Sequence, residues 1–276
     1  MLIDAHLHIW SLARGDYGWL TPDEGTLFRD YTLHDMDAIC AANGVDAVVI
    51  VQAAATLAET EYLLEAEAQN ERVSGVVGWV DIMSGDAIAQ LDHFASRSAF
   101  KGIRPMLHDM EDIDWIFQPD LSLLFRRMIA LGLSFDALIR PCHMVTIAKL
   151  ANHYPELPIV IDHAAKPGIA AQQWRSWADD LAALASHPNV SCKCSGLLTE
   201  AAPGAGENAL RNYVDHIIDM FGQKRVMWGS DWPMILTHND YRSWRTMARA
   251  LVPPVMHDDI FGANANHIYR LGLETS

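Results

Sequence analysis

Short apolar runs alternate with longer segments of helical period along the whole chain. The runs are rich in β-branched residues and number about eight: LIDAHLH, DAVVIVQ, SGVVGWVD, FKGIRPM, LSFDALI, IVIDHAA, VSCKCSG and VMWGSDW. This alternation predicts parallel strands joined by crossover helices. Eight strands can close a barrel, and no glycine-rich phosphate turn follows the first run, which disfavours an open doubly wound sheet. We therefore expect a single-domain (β/α)8 TIM barrel over residues 1–276.

Several helix boundaries are marked by residues that cap helices. Thr32 and Asp35 have the spacing of a capping box, and Asn43-Gly44 supplies the left-handed backbone that ends a helix before the second strand. Apolar residues at helical spacing over 121–131 predict an outer helix, which Gly132 ends in the same way. These residues predict helix ends and carry no functional assignment.

Two connections are longer than the others, at about residues 11–31 and 106–119. They follow the first and fourth strands, so both would lie over the end of the barrel at which active sites are built. Loops of this length usually have a function or are disordered. We expect both loops to shape a pocket.

The composition restricts the partners of the protein. A formal net charge of -15 would repel nucleic-acid phosphates and anionic membrane surfaces. The longest apolar stretch, residues 45–57, contains Asp46 and Gln52 and is shorter than the ~20 residues of a membrane helix. The first residues lack the basic start of a signal peptide, and the four cysteines form no C-x-x-C pair. We expect a cytoplasmic protein with reduced thiols that binds neither nucleic acid nor membranes; its oligomeric state is left open.

Three histidines and one aspartate fall at predicted strand ends. His6 and His8 are two residues apart in the first strand, so both imidazoles lie on one face, with Cα atoms roughly 6.5 Å apart. His163 ends the sixth run and Asp231 ends the eighth. Taken singly, His163 could be a core histidine and Asp231 a helix cap. Together the four residues occupy the end of the barrel where such enzymes keep their catalytic groups, which predicts an active site.

Six stretches of the chain together resemble one protein family. They are LIDAHLHIW, FKGIRPMLHDMEDIDWIFQPDL, VIDHAAKP, KCSGLLTEA, GSDWP and FGANANHIYRL, and they extend over essentially the whole chain. The combination is similar to the amidohydrolase superfamily (amidohydrolase-related family 2), and within it to the sugar-acid lactonase branch of L-fuconolactonase and L-rhamnonolactonase. The resemblance implies a hydrolase that opens a small sugar lactone to the aldonic acid.

The resemblance also assigns a metal site. In this superfamily an H-x-H pair, a later histidine and the aspartate after the last strand surround the reacting carbonyl. Carried over to this chain, they are His6, His8, His163 and Asp231. The implied cofactor is one divalent metal, with zinc preferred. Because some similar lactonases work without metal, metal-free activity is the alternative.

The fourth strand departs from the pattern of many superfamily members, which have a lysine there that bridges two metals. Here Arg104 lies near the strand end and Lys101 lies deeper, so we expect no two-metal centre. In the implied mechanism Asp231 takes a proton from water, while the histidines polarise the lactone carbonyl or orient that water, with His163 among the catalytic residues. Arg104 would stabilise the oxyanion or bind substrate oxygens, the alternative being an ion pair at the barrel rim.

Five further residues are candidates for contacts with the substrate. They are Trp10, His108, Trp115, Lys193 and Trp232. The tryptophans could pack against sugar carbons or simply fill the mouth of the barrel. Lys193 stands in an apolar run and therefore needs polar neighbours, either the substrate or a structural ion pair.

Three other functions are compatible with the same barrel. The first is a decarboxylase of an aromatic or unsaturated acid, which belongs to the same superfamily and would release carbon dioxide. The second is a lactone isomerase, which would shift the ring without net acid. The third is a barrel that binds a sugar acid without catalysis, and its behaviour would not depend on Asp231.

Overall fold

The computed structural model describes residues 1–109, 112–118 and 120–274. Eight parallel strands form one sheet in sequence order. The strands are β1 (Ile3–Leu7), β2 (Ala47–Val51), β3 (Val73–Gly78), β4 (Phe100–Ile103), β5 (Ser134–Ala137), β6 (Ile159–Ile161), β7 (Val190–Cys194) and β8 (Val226–Trp228). Seven of them lie within the apolar runs identified in the sequence, and β3 begins one residue before its run.

Each strand is followed by an outer helix. The helices are α1 (Leu33–Asn43), α2 (Leu57–Glu67), α3 (Ala87–Ala95), α4 (Leu121–Leu131), α5 (Met144–His153), α6 (Arg175–Ala185), α7 (Glu207–Phe221) and α8 (Tyr241–Leu251), with a short α9 (Asn264–Ile268) at the end. The (β/α)8 barrel predicted from the alternation of runs is thereby confirmed. No helix among the described residues is both long and apolar enough to cross a bilayer.

The predicted helix ends are present in the structure. Thr32 accepts a hydrogen bond from the backbone of Asp35, whose side chain accepts one from Thr32, so the capping box forms. Gly44 and Gly132 follow α1 and α4 with φ angles of 63° and 68°. Glycine adopts these left-handed angles without the cost that a side chain would impose.

The barrel closes between β1 and the segment that follows β8. The backbone nitrogen of Asp231 donates to the carbonyl of His6 at 2.8 Å, and that of His8 donates to the carbonyl of Trp232 at 2.7 Å. Two hydrogen bonds thus join the two ends of the sheet. They also place His6, His8 and Asp231 side by side, so ring closure and site assembly use the same residues.

The two long connections cover the carboxyl end of the barrel. In the first, Trp19 donates from Nε1 to the carbonyl of Ala53 at 2.8 Å, which holds the loop against the end of β2. In the second, Met106 and His108 face the same opening as Trp19. Part of the second connection, at positions 110, 111 and 119, lies outside the described residues. The described parts contribute to a pocket, as expected.

Candidate active site

The structure brings the four predicted residues together at the carboxyl end of the barrel. Nε2 of His6 lies 3.2 Å from Nε2 of His8. Oδ1 of Asp231 lies 3.4 Å from Nε2 of His8, 3.8 Å from Nε2 of His6 and 3.9 Å from Nε2 of His163. All four side chains are buried. Three imidazoles therefore point their Nε2 atoms towards one carboxylate oxygen.

The orientation of each imidazole has a local cause. Nδ1 of His8 lies 2.8 Å from the carbonyl of Val51, and because a carbonyl can only accept, Nδ1 carries the proton and Nε2 presents its lone pair to the cluster. Nδ1 of His163 lies 2.9 Å from Oγ of Ser195. Such contacts to the outer nitrogen fix the ring tautomer at metal and catalytic sites.

The backbone around His163 and Asp231 is unusual. Residues His163, Ala164, Ala165 and Lys166 have φ angles between 50° and 60°, and Asp231 has a φ of 57°. A left-handed conformation costs roughly 1–2 kcal/mol for a residue with a side chain. Functional sites commonly keep such strain when the surrounding structure compensates for it. Here it directs His163 and Asp231 inward, immediately after β6 and β8.

Burial and neighbouring charges set the protonation of the cluster. Burial lowers the pKa of His163 to about 4, although the nearby Asp231 opposes the shift. Burial, reinforced by the charge of Lys193, also holds the pKa of His6 well below its usual value. Burial alone would raise the pKa of Asp231, but the three facing histidines, His163 most of all, together outweigh that effect and the pKa is lowered. At neutral pH His6 and His163 are therefore neutral and Asp231 is an ionised carboxylate.

The donor set fits a divalent metal ion. One ligand atom each from His6, His163 and Asp231 all lie within 4.8 Å of one another. The 3.2 Å between Nε2 of His6 and Nε2 of His8 is close to the ~3.3 Å that separates two nitrogen ligands at 2.0–2.1 Å from a tetrahedral metal. Oδ1 of Asp231 is buried and receives no hydrogen bond from the described residues. A cation would satisfy this oxygen.

A cavity of about 430 Å³ opens above the cluster, a size typical of small-molecule sites. It is lined by His8, Trp10, Trp19, Ala53, Arg104, Met106, His108, Leu138, His163, Lys166, Thr199, Glu200, Asp231 and Met234. Of the predicted residues, His8, His163, Asp231, Arg104, Trp10 and His108 line it. Nη1 of Arg104 lies 3.6 Å from Oδ2 of Asp162, and Nη2 donates to the carbonyl of Gln52. Arg104 is thus a fixed cation in the cavity wall.

Lys193 does not line the cavity, so it does not occupy the position predicted for a contact with the substrate. Its side chain is completely buried below the cavity, where Nζ lies 2.7 Å from Oδ2 of Asp136, 3.0 Å from Oδ1 of Asp162 and 3.1 Å from Nδ1 of His6. The ammonium group thus donates to Asp136 and forms an ion pair with Asp162, so its charge is compensated inside the protein. Lys193 therefore forms a structural ion pair, which is the alternative to a contact with the substrate.

Trp115 and Trp232 also differ from the expected substrate contacts, since neither lines the cavity. Trp115 is buried within the second long connection, near Leu107 and Ile116. The ring of Trp232 packs edge-on against Tyr31, with 5.2 Å between the centroids. Both tryptophan side chains are buried against other residues of the protein and not presented to the cavity.

Sequence reasoning did not select several residues of the site. Asp136 and Asp162 surround Lys193, while Trp19, Lys166 and Glu200 line the cavity. One signal was available for the two aspartates, because each is a charged residue inside an apolar strand run, as Lys193 is. Buried charges are usually paired, so three such residues in adjacent strands indicate one network.

The contact between Gly196 and His163 provides a test of how the site is held. We expect Gly196→Ala to lower turnover at least tenfold, because its Cβ would lie 2.6 Å from Nδ1 of His163 and would displace the ring from Ser195. Activity should be measured together with thermal unfolding.

Gly204→Ala is the matched control. Gly204 also has a positive φ, 78° against 62° for Gly196, but no heavy atom lies within 4 Å of a Cβ built there. Both variants carry the cost of a left-handed alanine, and only Gly196→Ala disturbs His163. Equal losses of turnover in the two variants would show that backbone strain alone matters.

The sequence of this chain is similar to the sequences of known proteins. The chain matches the amidohydrolase family over residues 3–271. It is 41% identical to an L-fucono-1,5-lactonase from Burkholderia ambifaria, over 98% of this chain and 95% of that one. It is 30% identical to an L-fucono-1,5-lactonase from Burkholderia multivorans, over 98% and 96% of the two chains.

A solved structure shows the same likeness in three dimensions. An amidohydrolase from Burkholderia multivorans with bound zinc superimposes with a TM-score of 0.92, at 27% identity over 98% of this chain and 99% of that one. The family match covers nearly the whole barrel, including all four residues of the cluster. The chain therefore belongs to the amidohydrolase family.

Proposed function

We propose that this protein is a hydrolase that opens a six-membered sugar-acid lactone of the L-fucono-1,5-lactone type to the aldonic acid. One observation carries the proposal: an ionised, buried Asp231 faces three imidazoles at the floor of a cavity that a small molecule can enter. The 41% identity to an L-fucono-1,5-lactonase supports this choice of ester over other reactions of the family.

The chemistry follows from the residue types. Asp231 accepts a proton from water as the water oxygen attacks the lactone carbonyl, and a tetrahedral intermediate forms. Arg104 faces the cavity as a cation and stabilises the developing oxyanion. The bond between the carbonyl carbon and the ring oxygen then breaks, and Asp231 returns the proton to the ring oxygen. The product is a hydroxy acid, and the protonation of the site is restored.

The proposed cofactor is one zinc ion, held by His6, His8, His163 and Asp231. The bound zinc in the similar amidohydrolase from Burkholderia multivorans supports this choice of metal. When bound, zinc would polarise the carbonyl and lower the pKa of water. The protein residues fix the orientation of the imidazoles and supply the base.

The reaction is tested with L-fucono-1,5-lactone and a pH indicator. We expect release of one acid group per lactone opened, because ring opening converts an ester to a carboxylic acid. A panel of other sugar lactones should be assayed in parallel. No acid from any of them would contradict the proposal; carbon dioxide from an aromatic acid would favour a decarboxylase, and a shifted ring without acid an isomerase.

The metal is tested separately by elemental analysis of protein purified without chelator. We expect about one zinc per chain in the wild type and loss of most of it in His6→Ala/His8→Ala, because that variant removes two of the four ligands. His93→Ala is the control, since His93 lies on α3 and pairs with Glu61 at 2.8 Å, away from the site. Full activity of metal-free protein would contradict the zinc assignment.

A further inference from the structure

An ion pair lies in the wall of the cavity and has no part in the mechanism above. Nζ of Lys166 is 3.1 Å from Oε1 of Glu200. Both side chains line the cavity, and each is about one quarter exposed, at 25% and 26%. The pair therefore combines a cation and an anion that a ligand in the cavity can reach.

The backbone fixes this pair relative to the reacting groups. Lys166 is the last residue of the left-handed segment that begins at His163, and its nitrogen donates to the carbonyl of His163 at 2.8 Å. The nitrogen of Ala170 donates to the carbonyl of Glu200 at 2.9 Å, which joins the loops after β6 and β7. The same segment thus positions His163 at the floor and Lys166 in the wall.

An aromatic side chain lies on the other side of the cavity. The strands follow one another in sequence order around the barrel, so the loops after β6 and β7 lie across the mouth from the loop after β2. Trp19 is held there by its hydrogen bond to Ala53 and lines the cavity. A ring bound between these walls would have polar groups on one side and an indole on the other.

We infer that the Lys166–Glu200 pair binds two adjacent hydroxyl groups of the lactone ring and so selects polyhydroxylated lactones; this inference rests on the proposed function. An ammonium group only donates and a carboxylate only accepts, whereas a hydroxyl does both. One hydroxyl accepts from Lys166 while its neighbour donates to Glu200. A ring without hydroxyl groups would exclude water from part of the pair but would offer no hydrogen bonds in place of those to water. The unpaired polar groups would then disfavour that ring, which is the basis of discrimination by hydrogen bonding.

The test compares kcat/KM for L-fucono-1,5-lactone and for δ-valerolactone, which has the same ring size and no hydroxyl groups. We expect the ratio of the two values to fall about 10- to 100-fold in Lys166→Met and in Glu200→Gln, because each variant weakens a hydrogen bond to a charged group. The loss should appear mainly for the hydroxylated lactone. Thermal unfolding of each variant checks that it folds.

Lys224→Met is the matched control, because Lys224 forms a comparable pair with Asp259 at 2.8 Å, outside the cavity. Its substrate ratio should equal that of the wild type. If the wild type opens both lactones and Lys166→Met and Glu200→Gln keep its ratio, the inference is wrong and the proposed function stands. If the wild type opens neither lactone, both are overturned.

Discussion

Replacing Asp231 with asparagine is expected to lower kcat for lactone hydrolysis by about 10³-fold, within the range for loss of a general base. Asparagine has nearly the same shape, but it cannot take a proton from water at neutral pH. Binding of the aldonic acid product should persist, because Arg104 and the cavity walls remain. Steady-state kinetics and calorimetric titration with the acid would measure the two effects.

Asp92→Asn is the control for that experiment. Asp92 pairs with Arg127 at 2.6 Å on the outer surface and has no contact with the cavity, so this variant should keep its activity. Retention of wild-type turnover by Asp231→Asn would exclude the proposed base.

A large loss of stability is expected when Lys193, which is buried below the cavity, is replaced. Lys193→Met should lower the free energy of unfolding by about 3–5 kcal/mol, the usual result of removing one member of a buried ion pair. The reason is that Asp136 and Asp162, both completely buried, would lose the cation between them. Urea denaturation would measure the change, and turnover should fall as well, because Nδ1 of His6 loses its contact with Lys193.

Two further variants separate the two causes of this loss of stability, the uncompensated charge and the altered side-chain packing. Lys193→Met/Asp136→Asn removes one of the uncompensated carboxylates, so it should be more stable than Lys193→Met alone. Lys101→Met is the control, because Nζ of Lys101 donates a hydrogen bond to the carbonyl of Arg270, worth about 1 kcal/mol. A loss in Lys193→Met no greater than in Lys101→Met would refute the electrostatic explanation.

Local patterns were sufficient to predict the fold. Each parallel strand of the barrel is covered on its outer side by helices, so it appears as a nearly continuous apolar run that periodicity detects. The ends of α1 and α4 could be predicted because Gly44 and Gly132 occupy backbone conformations that other residues avoid. These signals depend only on neighbouring residues.

Part of the site could be predicted from the sequence, because four of its residues lie at the ends of strands. His6, His8, His163 and Asp231 lie at strand ends, and the barrel geometry brings all strand ends together. The direction of a side chain depends instead on loops and on partners far along the chain. Lys193 turns towards Asp136 and Asp162 rather than the cavity; the three charged residues in adjacent apolar runs indicate a network, but the direction of the lysine follows from the three-dimensional arrangement.

The hydrogen-bonded seam between β1 and the segment after β8 depends on the docking of the last strand. The hydrogen bonds that close it join residues more than 220 positions apart in the sequence, so this contact has a longer chain loop to close than any pairing of consecutive strands. A barrel with seven strands in place and the last one detached would retain most of its packing yet have no base beside the histidines. Turnover therefore reports whether the last strand has docked, whereas spectroscopic helix content does not.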